Sequence, residues 1–376
     1  MVTAYTDGAV TLRSNRLRNG GYHEATDMSG MQGVHKGDFV VHGLDILRGS
    51  VGISDSTGAI SSVCVLCEPM AQADPRYFVW VIRAQAFSGF PRALARGVRE
   101  GGADFRRWDT LAELPVPAPP ISVQTAIADY LDTETARIDA LISKKQRMIE
   151  LIEARIESLA GAILDPLVSI YGEVPLKAVA HLRVSNVDKK TKNDESAVLL
   201  CNYTDVYYNP RIDASLEFMK ASADTKQIER LTIKSGDVLI TKDSETADDI
   251  AVPTLVVQDL PGVVLGYHLA MLRPFAIDSL FLYWSIRSRR CRDAFALAAS
   301  GVTRFGLRQD AIGRILVPAA PVSEQRSVAE KIETEVARGR EVAKRLVSQI
   351  ALLAERRQAL ITEAVTGKLD IQEVAA

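Results

Sequence analysis

The chain has 376 residues, 47% of them apolar and 24% charged, which excludes wholesale disorder and collagen-like structure and leaves room for two or three domains. Its 45 Lys and Arg against 47 Asp and Glu leave a formal charge of −2, so bulk charge names no nucleic-acid, membrane or acidic partner. Four cysteines cannot build the disulfide lattice of a small secreted protein, residues 1–10 lack the order of a signal peptide, and no apolar run approaches about 18 residues, so the expectation is a soluble, cytoplasmic protein.

Along the chain, a strand-rich start passes through the turn signal Gly37-Asp38 to Cys64-x-x-Cys67, whose neighbours Val63, Val65 and Leu66 are apolar. With Cys201 and Cys291 single and distant, this pair reads as core cysteines on a strand rather than half a zinc site. Residues 77–86 read as a helix. They lead into an arginine cluster, residues 83–107, with six arginines against Glu100 and Asp104.

After Pro119-Pro120, Ser122 is placed to cap a helix. Apolar residues at 138, 142, 149, 152, 156, 159 and 163, with Lys145 the one polar member, alternate steps of four and three, a heptad seam. Asp165-Pro166 is expected to end it, because proline lacks an N–H. Residues 238–240, 254–257 and 263–265 read as short strands and residues 279–289 as a helix. A second arginine cluster follows, residues 287–308, with six arginines against Asp293. The final helix has Ser323 at its start, a seam of Ala343, Leu346, Ile350, Leu353, Leu360 and Ala364 broken by Arg357, and Gly367 as its stop.

The two halves repeat. VPAPPISVQ at residues 116–124 returns as VPAAPVSEQ at 317–325, an offset of 201. Tyr5 pairs with Tyr203, Gly37-Asp38 with Gly236-Asp237, Trp80 with Trp284, Arg83 with Arg287, and Gly97-Val98 with Gly301-Val302, at offsets of 198 to 204. Such an ordered series indicates duplication of a domain followed by a helical tail. If the tails lie antiparallel, a pseudo-twofold axis relates the copies; the plainer alternative is two amphipathic helices, each packed on its own domain. The copies are unequal, because residues 172–200 have no match ahead of Tyr5. A first copy shortened at its start is therefore expected.

Catalytic signatures are missing. The five histidines show no metal-ligand spacing, and no Walker loop, GxGxxG, GxSxG elbow or opposed carboxylate pair occurs. A binder is expected, without cofactor or metal. The arginine clusters sit at equivalent places in the two copies, and arginine offers a planar fork for phosphate oxygens or guanine. The loops that close them, residues 97–107 and 301–308, are candidates to enter a DNA groove.

These residues resemble a known family. A Gly-Asp turn, the run GVTRFGLRQDAIGRILVPAAP at 301–321, then Pro321-Val322-Ser323-Glu324-Gln325 and a long helix ending in AVTGKLD at 364–370 are similar to the specificity subunit of type I restriction–modification enzymes. The resemblance covers nearly the whole chain, twice, although the first copy has Val123 where the second has Glu324 and three extra residues before Leu114. It implies an α+β fold: two mixed α/β target recognition domains, residues 1–120 and 166–320, separated by two long antiparallel coiled-coil helices, residues 121–165 and 321–376. It also implies a non-catalytic protein that reads a bipartite double-stranded DNA target. Its partners would be two methyltransferase subunits, which use S-adenosylmethionine, and ATP-driven restriction subunits. On this reading Arg99, Arg106, Arg107, Arg304 and Arg308 face DNA, with Lys242, Ser244 and Thr303 beside them. Two other readings are a truncated or orphan specificity subunit that supports methylation only and a coiled-coil scaffold without nucleic acid.

Overall fold

The computed structural model describes residues 1–16, 30–89, 98–99, 102–192 and 194–369, with the backbone alone at 98, 99, 102 and 103. The chain divides into two compact units, Met1–Gln146 together with Val347–Ala376, and Arg147–Leu346.

The second unit is built on a five-stranded sheet ordered Ala180–Val184, Leu269–Pro274, Val238–Thr241, Pro253–Val256, Arg211–Ile212. Its last pair is parallel and the others antiparallel. Alternate side chains of a strand face opposite ways, and both faces are covered here. Val238, Ile240, Ala270 and Leu272 join Phe281, Trp284, Ile332 and Leu164 on the helical side. Leu239, Leu269 and Met271 join Leu200, Val264 and Ala221 on the other, where Met219–Ala223, Ser196–Cys201 and Val263–Leu265 form a three-stranded sheet. The helix expected over 279–289 stops at Arg287. Ser288 is extended there, and its hydroxyl accepts from the Cys291 N–H to start the next helix, Arg289–Ala298.

The first unit repeats this plan on a smaller sheet, Val51–Ile53, Phe39–His42, Cys64–Cys67. Phe39 and Val41 pack on Ile82, Leu111 and Leu114, and Val40 and Cys64 on Val2, Val10 and Ile60. The cysteines are free and sit on a strand. Burial pushes both thiols up to about 11, where a thiolate ligand or nucleophile is disfavoured.

Two long helices, Ile121–Tyr171 with 51 residues and Val322–Val365 with 44, each begin in one unit and end in the other. Within the first unit their segments run antiparallel. Lys145 Nζ donates to Gln349 Oε1 (2.6 Å) and Arg357 pairs with Asp139 (2.9 Å). Within the second unit they are antiparallel as well: Ile152 and Ile156 close over Gly339, and the Tyr171 hydroxyl donates to Glu324 Oε1 (2.8 Å). The expected seam is right. Ile138 is buried and positions 142, 145, 149, 152, 156, 159 and 163 are half-buried, while most positions around them are exposed.

Three local expectations fail. The first helix does not stop at Pro166 but runs on to Tyr171. Buried Leu164 and half-buried Leu167 hold that turn in the core, and Ala162, whose carbonyl loses its helical donor, is exposed to water. The true stop is Gly172, left-handed at φ +75. Neither Ser122 nor Ser323 is a cap. Both lie inside their helices, where the N–H groups of Val123 and Gln124 donate to the Pro120 carbonyl and those of Glu324 and Gln325 to the Pro321 carbonyl. Gly367, by contrast, does end the second helix at φ +72.

The duplication extends to individual hydrogen bonds. Gln124 Oε1 accepts from the Asp74 N–H (3.0 Å) while its Nε2 donates to the Pro119 carbonyl (2.7 Å). Gln325 does the same with Asp278 (2.7 Å) and Ala320 (2.7 Å). Trp80 Nε1 donates to Asp132 (2.9 Å) and Trp284 Nε1 to Glu333 (3.0 Å).

Candidate nucleic-acid interface

In the second unit, strand Val238–Thr241 delivers Lys242 to the surface, where the chain makes a two-residue strand, Asp243–Ser244, paired with Phe305–Gly306. The Lys242 N–H donates to the His268 carbonyl (2.8 Å) and its own carbonyl accepts from Leu307 (2.9 Å). Leu307 is buried and Ser300 bridges Gly306, so the loop carrying Thr303 and Arg304 is held at both ends. Gly301 makes its entry possible, because a Cβ there would stand 2.0 Å from the Arg304 carbonyl oxygen. Thr303, Arg304 and Arg308 are exposed. Arg308 immediately precedes the short helix Gln309–Arg314 and pairs with Asp310 (3.2 Å).

The fold thus brings Lys242, Ser244, Thr303, Arg304 and Arg308 onto neighbouring backbone. They are not equally available. Ser244 is buried, its hydroxyl accepting from the Thr246 N–H (3.3 Å). Lys242 Nζ lies 3.1 Å from Asp243, whose other partner is His268 Nδ1 at 2.5 Å. His268 adopts φ +72, a conformation uncommon for a residue with a side chain. These two therefore brace the loop, and Thr303, Arg304 and Arg308 present it.

Sequence reasoning missed the aromatic residues alongside. Tyr203 and Tyr207 stack with ring centroids 5.6 Å apart, and the Tyr207 hydroxyl donates to Asp249 (2.7 Å). That bond holds the Tyr207 hydroxyl up to about 12. Burial raises Tyr203 as well, and Arg304 is near enough to act against that rise. Tyr208 and Tyr267 are exposed. The available signal was Tyr203, Tyr207 and Tyr208 within six residues, with two of them at the i,i+4 spacing of one helix face. Lys242 Nζ lies over the Tyr267 ring at 5.8 Å, and exposed tyrosines beside such a basic group offer stacking surfaces as well as charge.

The first unit anchors its loop in the same way. The Phe105 N–H donates to the Gly43 carbonyl (2.8 Å) and the Gly43 N–H to the Val63 carbonyl (3.0 Å). Phe105 is fully buried. A Cβ on Gly43 would come within 2.8 Å of Arg106 and of the Val63 carbonyl oxygen, so this contact needs a glycine. Arg106 grips Asp104 with two bonds, 2.9 and 2.7 Å, which hold that carboxyl down to about 2. Arg107 is exposed and precedes the short helix Trp108–Ala112, as Arg308 precedes its own. Arg99 lies in a small hairpin, Val98–Arg99 with Gly102–Ala103; its side chain is outside the described residues, as are Arg92, Arg96 and Gly97.

The arginine clusters divide, and part of the expectation built on them is corrected. Arg83 is buried beneath Gly8 and over Trp80 at 5.8 Å. Burial, together with Arg357 nearby, pushes its guanidinium down to about 10. Arg287 lies over Trp284 at 5.9 Å, and Arg290 pairs with Asp165 (3.2 Å) and Glu173 (3.3 Å). These three serve the fold. Among the described residues no group of His, Cys, Asp or Glu is placed to hold a metal ion, and no helix is long and apolar enough to cross a membrane.

Two duplicated α+β units, each with an arginine-bearing loop anchored by equivalent backbone bonds, and two long helices that each begin in one unit and end in the other, define the class of fold. No protein-family model and no curated protein matches the sequence. Solved structures do. The chain is similar to the HsdS subunit from Thermoanaerobacter tengcongensis, with 13% identity and a TM-score of 0.57 over 91% of this chain and 84% of that one. It is also similar to a chain from a study of complex assembly and conformational transition of the type I R-M system, with 13% identity and a TM-score of 0.68 over 91% and 85%. The protein has the α+β, internally duplicated fold of type I restriction–modification specificity subunits.

Proposed function

We propose that this chain is the DNA-sequence-specificity subunit of a type I restriction–modification complex. Target recognition domains within residues 1–120 and 172–320 each read one half of a bipartite double-stranded DNA target. The long helices hold two methyltransferase subunits, with restriction subunits joining them. The chain itself does no chemistry; methylation and cleavage belong to the partners. The observation that carries this reading is the pair of arginine loops anchored by the same backbone bonds, from Phe105 to Gly43 and from Leu307 to Lys242. A protein that must grip two half-sites with one chain needs two such loops at equivalent places.

The test is the pattern of adenine methylation in a host with and without the gene. One bipartite motif should disappear on deletion and return on complementation. An unchanged methylome, with the methyltransferase partner present and expressed, overturns the proposal.

A further inference from the structure

In the second unit, the chain leaving the first long helix turns at Gly172 and lies across the domain. Strand Glu173–Pro175 pairs with Leu316–Pro318, Val174 opposite Val317, and the Leu176 N–H donates to the Ile315 carbonyl (2.9 Å). Leu176 is completely buried and Ala180 nearly so. The segment packs close to the short helix Gln309–Arg314, where a Cβ on Gly313 would stand 3.4 Å from Lys177 Cβ.

Among the described residues, nothing covers the equivalent surface of the first unit. Leu111, Leu114 and Val116 stand 201 positions before Ile312, Ile315 and Val317. With Phe39, Phe78 and Trp108 they line an apolar groove of about 300 Å³. Trp108 is 60% exposed, costly for so large an apolar ring.

The second long helix ends in this same unit. Past Gly367, Leu369 packs against the cluster that also takes Val116. From there the sequence repeats the segment that fills the other unit. GKLDIQEVA at 367–375 matches GEVPLKAVA at 172–180, with glycine leading both. Apolar residues coincide at Leu369 and Val174, Ile371 and Leu176, Val374 and Val179, Ala375 and Ala180. The offset is 195 here because the first helix continues past Pro166, which stands 201 positions before Gly367. Seven residues follow Leu369, a reach of roughly 23 Å when extended.

We propose that residues 369–375 occupy the groove, with Ile371 seated as Leu176 is and Val374 as Val179 is, so that the chain's own C-terminal segment completes the first unit. Trp108 reports on this directly, because Trp80 and Trp284, the other two tryptophans, are buried. Iodide quenching of tryptophan fluorescence is compared in the full chain, in a chain ending at Asp370, and in the full-length Ile371→Asp, Val374→Asp variant. Trp108 should be protected in the full chain and lose that protection in both variants. A peptide of residues 369–376 should restore protection to the shortened chain, and Trp108→Phe should remove the difference. Undiminished protection of Trp284 checks that the variants have folded. Equal quenching of full and shortened chains overturns the proposal. Protection that rises with protein concentration, whether or not the segment is present, also overturns it and gives the groove to a second copy.

Discussion

Gln124 and Gln325 make the same pair of hydrogen bonds in the two units, yet the loops anchored by Phe105 and Leu307 carry different side chains. In the first unit Asp104 and Arg106 lock onto each other; the matching stretch of the second has Gly306, and Arg304 is exposed. The units therefore keep the joints by which helix, strand and loop are assembled and vary what those joints hold out to solvent. A buried joint has few solutions, because each unpaired polar group inside a fold costs about 1–3 kcal/mol. An exposed loop has no such constraint.

The largest effect should come from the joints. Gln325→Leu leaves the Asp278 N–H and the Ala320 carbonyl without their partner and should cost about 3 kcal/mol in chemical denaturation. Gln124→Leu should cost a similar amount in the first unit. A large cost in one unit and none in the other would show that the duplicated joints are not equivalent.

Next are the loops. Arg304→Ala should weaken specific DNA binding by about 1–3 kcal/mol if it reads a base, with discrimination relaxed at one position of one half-site. Arg107→Ala should act on the other half-site. If binding instead weakens evenly across sequences and the salt slope becomes shallower, the contact is to phosphate. Titration of labelled duplexes altered in one half-site separates these outcomes.

Trp80→Phe and Trp284→Phe each remove one hydrogen bond, to Asp132 or Glu333, and should each lower stability by about 1 kcal/mol. Equal losses support equivalent joints; a difference measures how unequally Arg76, which also reaches Asp132 (3.2 Å), and Arg211, which also reaches Glu333 (2.7 Å), compensate in their own units. The smallest effect is a matter of pH. The Arg106 bonds hold the folded Asp104 carboxyl down to about 2, below its ordinary value. Its contribution is present above that ordinary value and is lost as pH falls toward 2. An NMR titration should place the Asp104 midpoint near there, and Arg106→Ala should return it to the usual carboxylate range.

The duplication and the helical seams were legible because both are patterns of spacing: the heptad from Ile138 to Ile163 survives folding unchanged. The arginine clusters were only half legible, since sequence gives the sign of a charge and not the direction of its side chain. Arg83 turns inward because its helix presents the face that carries both Trp80 and Arg83 to the interior, with Arg83 against Gly8. Pro166 misled for a related reason. A local rule about proline yielded to the burial of Leu164 and Leu167, which no local window reveals. The tyrosines beside Arg304 went unread because a helix face carrying Tyr203 and Tyr207 becomes a surface only once Val238–Thr241 and Asp243–Ser244 are brought beside it.

The second unit is one continuous stretch of chain, whereas the first is split into two pieces. Ile127 and Leu131 meet Ile361 and Ala364 in a single cluster, although about 230 residues separate them in sequence. On the ribosome, then, the unit begun earlier is the one completed later. The second unit has all its parts once Leu346 has emerged, while the first must wait for the final helix. Loop closure over such a separation adds little to the equilibrium cost but slows assembly. Interrupted synthesis would leave a finished second unit joined to a first whose apolar helix face is uncovered, a natural target for chaperones or proteases.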